Sequence, residues 1–337
     1  MKTVIITGGN SGLGYHCAQR LALDPDLHLI LACRNGEKAA SAVSELKKAS
    51  NTQQIESMTL DLASLESIRS FAAKFSDRTL ASRFNGSQTR NALAHNLPPL
   101  GAIVCNAGVQ FIQRQTYTQD GFDTTFGVNH LGHFLLVNLL LSQLVPPARI
   151  IFVSSDTHDS SKTTGMPAPY WRNPQLMAHP EQDPNLKTKD IGTMGRIAYT
   201  TSKLCNVLCA YELARRLQQQ NLSTQSQTIT VNVFNPGLMP GSGLAQDYTA
   251  TAKFVWNNIL PILRKFVPNV NTMEQSGKAL ARLVTDPELA NITGKYFSGL
   301  KMIDSAAETY DESKAKQLWN ASVQLTQLQP SETILEI

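Results

Sequence analysis

No stretch of this sequence is apolar over the roughly 18 residues that a membrane-crossing helix needs. The longest candidate, Phe254 to Val267, is interrupted by Asn257, Asn258, Pro261, Arg264 and Lys265. Strand-like residues begin at Thr3, so no signal peptide or N-terminal anchor is expected, and the expected location is cytoplasmic. Cysteine is scarce. Cys17, Cys33, Cys105, Cys205 and Cys209 are odd in number and scattered, so no disulfide framework follows and a reducing compartment is expected. Cys205 and Cys209 share a helix face, yet two thiols without further ligands do not make a zinc site. His130 and His133 likewise lack a third ligand and read as packed or hydrogen-bonded helix histidines, so no metal is expected. Charge is low as well. Charged residues make up 17% of the chain and the net charge is +4, too mild to argue for nucleic acid. There is no internal repeat.

What the 337 residues do contain is an alternation. Apolar, β-branched segments at Thr3–Ile6, Leu27–Cys33, Ile55–Leu60, Gly101–Asn106, Arg149–Ser154 and Ile229–Phe234 read as strands. Helix-like segments fall between them, at Glu37–Ala49, Leu65–Phe75, within Gly121–Leu144 and at Ala198–Gln219. This order predicts an α/β fold with a doubly wound parallel sheet and right-handed crossovers. Three stretches read as insertions: Ser76–Pro99, the Pro-, His- and Asn-rich Asp156–Arg196, and Gln218–Gln227. None reads as a domain linker, because the sheet pattern resumes after each.

Two motifs carry chemistry. Gly8, Gly12 and Gly14 follow the first strand in a G-x-x-x-G-x-G turn. One glycine permits a tight turn, one lets backbone N–H groups approach a pyrophosphate, and one lets the helix lie close to the strand. That helix starts near Ser11 and aims its positive end at the phosphates. Far along the chain, Tyr199 and Lys203 stand four apart and so share a helix face. Each motif alone is weak; in this order they point to a nicotinamide-dependent oxidoreductase.

With these motifs the chain resembles the short-chain dehydrogenase/reductase family over nearly its whole length. Asp61-Leu62 is similar to the family's adenine-side pair, Asn106-Ala107-Gly108 to its motif after the fourth strand, and Asn129 to its helix asparagine. Ser154-Ser155 stands where the family's catalytic serine lies, and Pro236-Gly237 follows the sixth strand as in the family. Within it, the runs Ala32-Cys33-Arg34-Asn35, Asn129-His130-Leu131-Gly132-His133-Phe134 and Ser202-Lys203-Leu204-Cys205-Asn206 are similar to the retinol dehydrogenase and light-dependent protochlorophyllide reductase branch. The resemblance implies one Rossmann-type, NADP-binding domain over residues 1–326, with a C-terminal helical substrate lid at about 243–275 and a tail at 327–337.

It also implies roles. Tyr199 would be the general acid/base, its phenol favoured toward tyrosinate by Lys203. Ser155, preferred over Ser154, would orient the substrate oxygen. Lys203 would also bind the nicotinamide ribose, and Asn129 would hold a water on a proton path. Gly8, Ser11, Gly12, Leu13, Gly14, Asp61, Leu62, Asn106, Ala107, Gly108, Pro236, Gly237 and Ser242 would contact the cofactor, as would Tyr199 and Lys203. Arg34, where NAD-binding members place an acidic residue, suits a 2′-phosphate and so predicts NADP(H). The expected substrate is a small apolar carbonyl or alcohol, retinal-like or a lipid aldehyde, because the Phe254–Val267 segment is rich in Phe, Trp and Ile. A peripheral membrane contact is the other use of that segment, and a homo-oligomer is left open. The alternatives are a protochlorophyllide-type C=C reductase, with Cys205 near the pigment, and a cofactor-binding regulator without turnover.

Overall fold

The computed structural model describes residues 1–84, 97–220, 228–241, 243, 247–254, 256, 258 and 270–337, without the side chains of 80–84. The expectations for Ser242, for most of the Phe254–Val267 segment and for the second half of the Ser76–Pro99 stretch lie outside these residues.

The strands are β1 (Lys2–Thr7), β2 (Leu27–Cys33), β3 (Ile55–Thr59), β4 (Leu100–Cys105), β5 (Leu144–Val153), β6 (Ile229–Asn235), β7 (Lys295–Ser298) and β8 (Lys301–Ile303). They form one sheet in the order β3-β2-β1-β4-β5-β6-β7-β8. The first seven pair in parallel, as their buried β-branched residues predict, and β8 closes the edge antiparallel to β7. The direction of strand order reverses between β1 and β4. A crevice at such a switch point, outside the carboxyl ends of the strands, is where open α/β sheets bind ligands.

The helices are α1 (Gly12–Leu21), α2 (Gly36–Ser50), α3 (Leu65–Phe84), α4 (Thr124–Phe126), α5 (Gly132–Leu140), α6 (Pro174–Ala178), α7 (Ile191–Gln219), α8 (Ala250–Phe254), α9 (Met273–Thr285) and α10 (Glu312–Thr326). One face of the sheet packs against α3, α5 and α7, where Phe71, Phe134 and Trp319 are buried. The other face packs against α1, α2 and α9. Helices α1 and α9 touch so closely that a Cβ on Gly277 would lie 2.5 Å from the Cβ of His16.

Several boundaries differ from the expected ones. Helix α7 starts at Ile191 rather than Ala198, because Asp190 caps it by accepting the Thr193 N–H at 2.9 Å. Part of the expected Asp156–Arg196 insertion is therefore helix. Helix α3 likewise runs on to Phe84, into the stretch read as an insertion. Residues 327–337 pack on the fold: Leu328 and Leu335 are buried in the main core, and Arg69 pairs with Glu332 at 2.8 Å. Among the described residues no helix is long and apolar enough to cross a membrane, and no group of three or more metal-ligating side chains gathers.

Candidate active site

The turn after β1 takes the shape its glycines allow. Gly8 and Gly12 have φ of +63° and +54°, the left-handed region that favours glycine. Gly14 serves packing instead: a Cβ there would lie 2.6 Å from both the Gly8 carbonyl oxygen and Asn106 Nδ2. Ser11 is the N-cap of α1, yet its side chain makes no capping bond. Asn35 caps α2 and Thr272 caps α9. The first N–H groups of α1 are therefore left for an anion, at a turn where Ser11, Gly12 and Leu13 line a cleft of about 1630 Å³.

Thr7, not anticipated from the sequence, joins this turn to the next motif. Its Oγ1 accepts the N–H groups of Asn106 and Ala107, both at 2.9 Å, and meets His133 Nε2 at 2.9 Å. His133 Nδ1 faces the Asn129 carbonyl oxygen at 3.1 Å. A carbonyl can only accept, so Nδ1 carries the ring hydrogen and Nε2 takes the Thr7 hydroxyl hydrogen. Every hydrogen-bonding atom of the group then has a partner. Burial pushes His133 down to about 4, with the Asn129 carbonyl opposing, which keeps the imidazole neutral in this tautomer.

Asn129 lies in a π segment, Gly127–Leu131, between α4 and α5. It is fully buried, and it does not reach the cleft wall. Its side chain accepts the Val109 N–H at 2.8 Å and donates to the Val109 carbonyl and the Ser202 hydroxyl, both at 3.0 Å. These bonds use both amide hydrogens and one lone pair of the oxygen, so the side chain fixes the loop after Asn106-Ala107-Gly108.

Ser154, Ser155, Tyr199 and Lys203 meet where β5 ends beside α7. Ser154 donates to the Lys203 carbonyl at 2.8 Å, the backbone tie of a strand-end hydroxyl. Ser155 follows in extended backbone, and its side chain lines the cleft together with the Tyr199 phenol, whose ionisation it favours. Lys203 Nζ lies 5.4 Å from the Tyr199 ring centroid and donates to the Val153 carbonyl at 3.3 Å. Burial raises the Tyr199 phenol above its ordinary value, Tyr248 adds to the rise, and Ser155 opposes it. Burial also lowers Lys203 to about 8. Burial is the largest influence on the Tyr199 phenol and favours its protonated form.

Gly8, Asp61, Leu62 and the Asn106–Gly108 turn line the same cleft, as do Ser155, Tyr199, Lys203, Pro236 and Gly237. Arg34 joins them from the end of β2, exposed and, among the described residues, without an ion pair. Gly14 is not on the wall. Lys38, one turn into α2, lines the cleft near Arg34 and was missed, since a helix lysine gives no signal in sequence. So were Gln110, Tyr248 and Met166; the last comes from the Asp156–Arg196 stretch. Of the Phe254–Val267 segment, Trp256 reaches the wall, 6.1 Å from Tyr248 between ring centroids.

These observations fit a dinucleotide: an uncapped helix start, glycines that keep the turn narrow, and a cation at the end of β2. Known proteins agree. The family model for short chain dehydrogenase matches residues 2–167. Human retinol dehydrogenase 13 is 35% identical over 331 residues, which cover 97% of this chain and 85% of that protein. Protochlorophyllide reductase A from rice (Oryza sativa subsp. japonica) is 33% identical over 344 residues, covering 96% and 80%. A crystal structure of an uncharacterised protein from Mycobacterium paratuberculosis superimposes with a TM-score of 0.63 at 25% identity, over 97% of this chain and 94% of that one.

Proposed function

We start from the fact that this chain belongs to the short-chain dehydrogenase/reductase family of oxidoreductases, and propose that it is an NADP(H)-dependent carbonyl/alcohol oxidoreductase acting on an apolar substrate. The observation that carries the proposal is the convergence of Ser155, Tyr199 and Lys203 on the wall of the cleft that also holds the glycine turn. A nicotinamide cofactor bound there supplies or takes the hydride. The chain's own residues handle the proton and the charge. In reduction the Tyr199 phenol, kept protonated by burial, donates its hydrogen to the substrate oxygen. Ser155 hydrogen-bonds the same oxygen and orients it. Lys203, charged below about pH 8, stabilises the tyrosinate that forms and meets the ribose hydroxyls. Asn129 positions the Val109 loop and, through Ser202, the helix that carries Tyr199. Gly8, Ser11, Gly12, Leu13 and the Asn106–Gly108 turn hold the dinucleotide, and Arg34 with Lys38 takes its 2′-phosphate. Met166, Tyr248 and Trp256 give the substrate end an apolar wall.

A C=C reduction of the protochlorophyllide kind is the second reading, and the similarity to the rice reductase favours it. Cys205 lends it no support. That thiol is fully buried, 3.8 Å from Met177 Sδ, and is not on the cleft wall. A regulator without turnover would need none of the Ser155–Tyr199–Lys203 geometry. The deciding experiment follows NADPH oxidation against straight-chain aldehydes of increasing length, and against protochlorophyllide in dark and light. Efficiency should rise with chain length until the cleft is filled, each buried CH₂ contributing about 0.8 kcal/mol. A flat profile rejects the apolar substrate, and turnover of the pigment alone favours the second reading.

A further inference from the structure

The cleft wall holds a donor that the chemistry above does not use. Gln110 follows the Asn106–Gly108 turn, lines the cleft and is 4% exposed. Its position is fixed, because the Asn129 amide brackets the preceding residue, Val109, on both its N–H and its carbonyl. The Oε1 atom of Gln110 accepts the Tyr248 phenol at 3.1 Å. Its Nε2 atom is buried and has no hydrogen-bond partner. Turning the amide over does not help: the Tyr248 hydrogen would lose its acceptor and Oε1 would be the orphan. Buried polar groups in folded proteins nearly always have partners, so an orphan on a ligand cleft calls for one from the ligand. Three more orphaned hydroxyls, on Thr116, Thr124 and Thr157, belong to the wall of the same cleft.

Tyr248 places this amide at the substrate end. It lines the same cleft as Tyr199, and its ring meets Trp256 at 6.1 Å between centroids. Both residues come from the segment after β6, whereas Arg34 stands at the end of β2, four strands away in the sheet. At the usual spacing between strands that is roughly 19 Å. Gln110 itself follows β4, two strands from β2, and its bond to Tyr248 joins it to the segment after β6, on the acid/base side of the cleft.

We propose that Gln110 sets substrate specificity: its amide donates a hydrogen bond to a second oxygen on the substrate, next to the carbonyl that Tyr199 serves. The preferred class is then an apolar chain bearing a keto group with an oxygen function on the neighbouring carbon, such as a vicinal diketone or an α-hydroxy ketone. The assignment rests on the carbonyl-reductase reading given above.

The test compares kcat/KM for a straight-chain vicinal diketone with that for the monoketone of equal length, with NADPH saturating. Because diketones are intrinsically more reactive, the quantity that decides is how the ratio changes between proteins. Gln110→Leu, which removes the amide, should lower the ratio by about tenfold. Gln110→Glu keeps the shape but offers only acceptors, and it should lower the ratio at least as far. An unchanged ratio in both variants overturns the assignment alone. If one variant fails to fold, the other decides by the same criterion, with NADPH fluorescence titration reporting an intact cofactor site. A wild type that oxidises NADPH with neither compound overturns both this assignment and the reading it rests on.

Discussion

A single 2.9 Å hydrogen bond joins Thr7 Oγ1 to His133 Nε2, so the end of β1 holds the helical run that carries Asn129. The same Thr7 oxygen accepts the N–H groups of Asn106 and Ala107. One hydroxyl thus aligns the glycine turn, the Asn106–Gly108 turn and the Asn129 clamp. Replacing it by Thr7→Val keeps the shape but leaves the Ala107 N–H and one imidazole nitrogen unpaired, while the Asn106 N–H keeps the Val104 carbonyl at 3.0 Å. Each orphaned group costs about 1–3 kcal/mol. Urea unfolding should therefore show Thr7→Val less stable by at least about 2 kcal/mol, and Thr7→Ser much closer to wild type.

Acid should weaken the fold through the two helix histidines. Burial, reinforced by His133, lowers His130 to about 3, and burial lowers His133 to about 4, both from an ordinary value of 6.5. The unfolded chain binds protons that the folded chain refuses, so this stability is fully present above pH 6.5 and is lost as the pH falls toward those values. Asp123 acts in the opposite sense, since burial raises it to about 6, but it is one group against two. His130→Gln keeps a donor for Ser322 and removes one titration. Its unfolding free energy, measured from pH 6 down to 4, should depend on pH less steeply than wild type, by on the order of 1.4 kcal/mol per unit.

Cofactor choice should turn on Arg34. If the guanidinium pairs with a 2′-phosphate, NADPH binds more tightly than NADH by about 1.5–3 kcal/mol. Arg34→Asp should reverse the order in fluorescence titrations, because a carboxylate repels the phosphate and accepts from a ribose hydroxyl. Equal affinities of the wild type for the two cofactors would contradict this.

Lys203 gives the pH profile an alkaline limb. With its ammonium lowered to about 8 by burial, the group loses its charge as the pH rises through that value. The kcat/KM for NADPH, which reports ionisations of the free enzyme, should fall above about pH 8. Lys203→Arg retains the charge to higher pH, so in that variant the limb should vanish even if overall activity is reduced.

Much of this site was legible because it is local. Gly8 and Gly12 had to permit left-handed backbone, and Tyr199 and Lys203 had to share a helix face, whatever the tertiary structure. What the sequence hid is what depends on neighbours far along the chain. Thr7 becomes a junction only when β4 and α5 are brought beside β1. The seven-residue advance of the α7 start was masked by Gly192 and Gly195, which look like helix breakers. Gly195 is needed for contact instead: a Cβ there would lie 1.8 Å from the Phe111 carbonyl oxygen. Strand β8, three exposed residues long, has too little apolar pattern to be seen before β7 is in place. The burial of Tyr199 is hidden for the same reason, since spacing reveals a nearby lysine but not the depth at which the phenol lies.

The central claim is that the Tyr199 phenol passes the proton in a nicotinamide-dependent carbonyl reaction. Tyr199→Phe removes that hydroxyl and keeps the ring, so one pair of measurements tests it: NADPH oxidation with a medium-chain aldehyde, and NADPH affinity by fluorescence, for wild type and variant together. Turnover should fall by about 10²–10⁴ while affinity stays close to wild type. A Tyr199→Phe protein that binds NADPH normally and reduces the aldehyde at a near-normal rate would contradict the account.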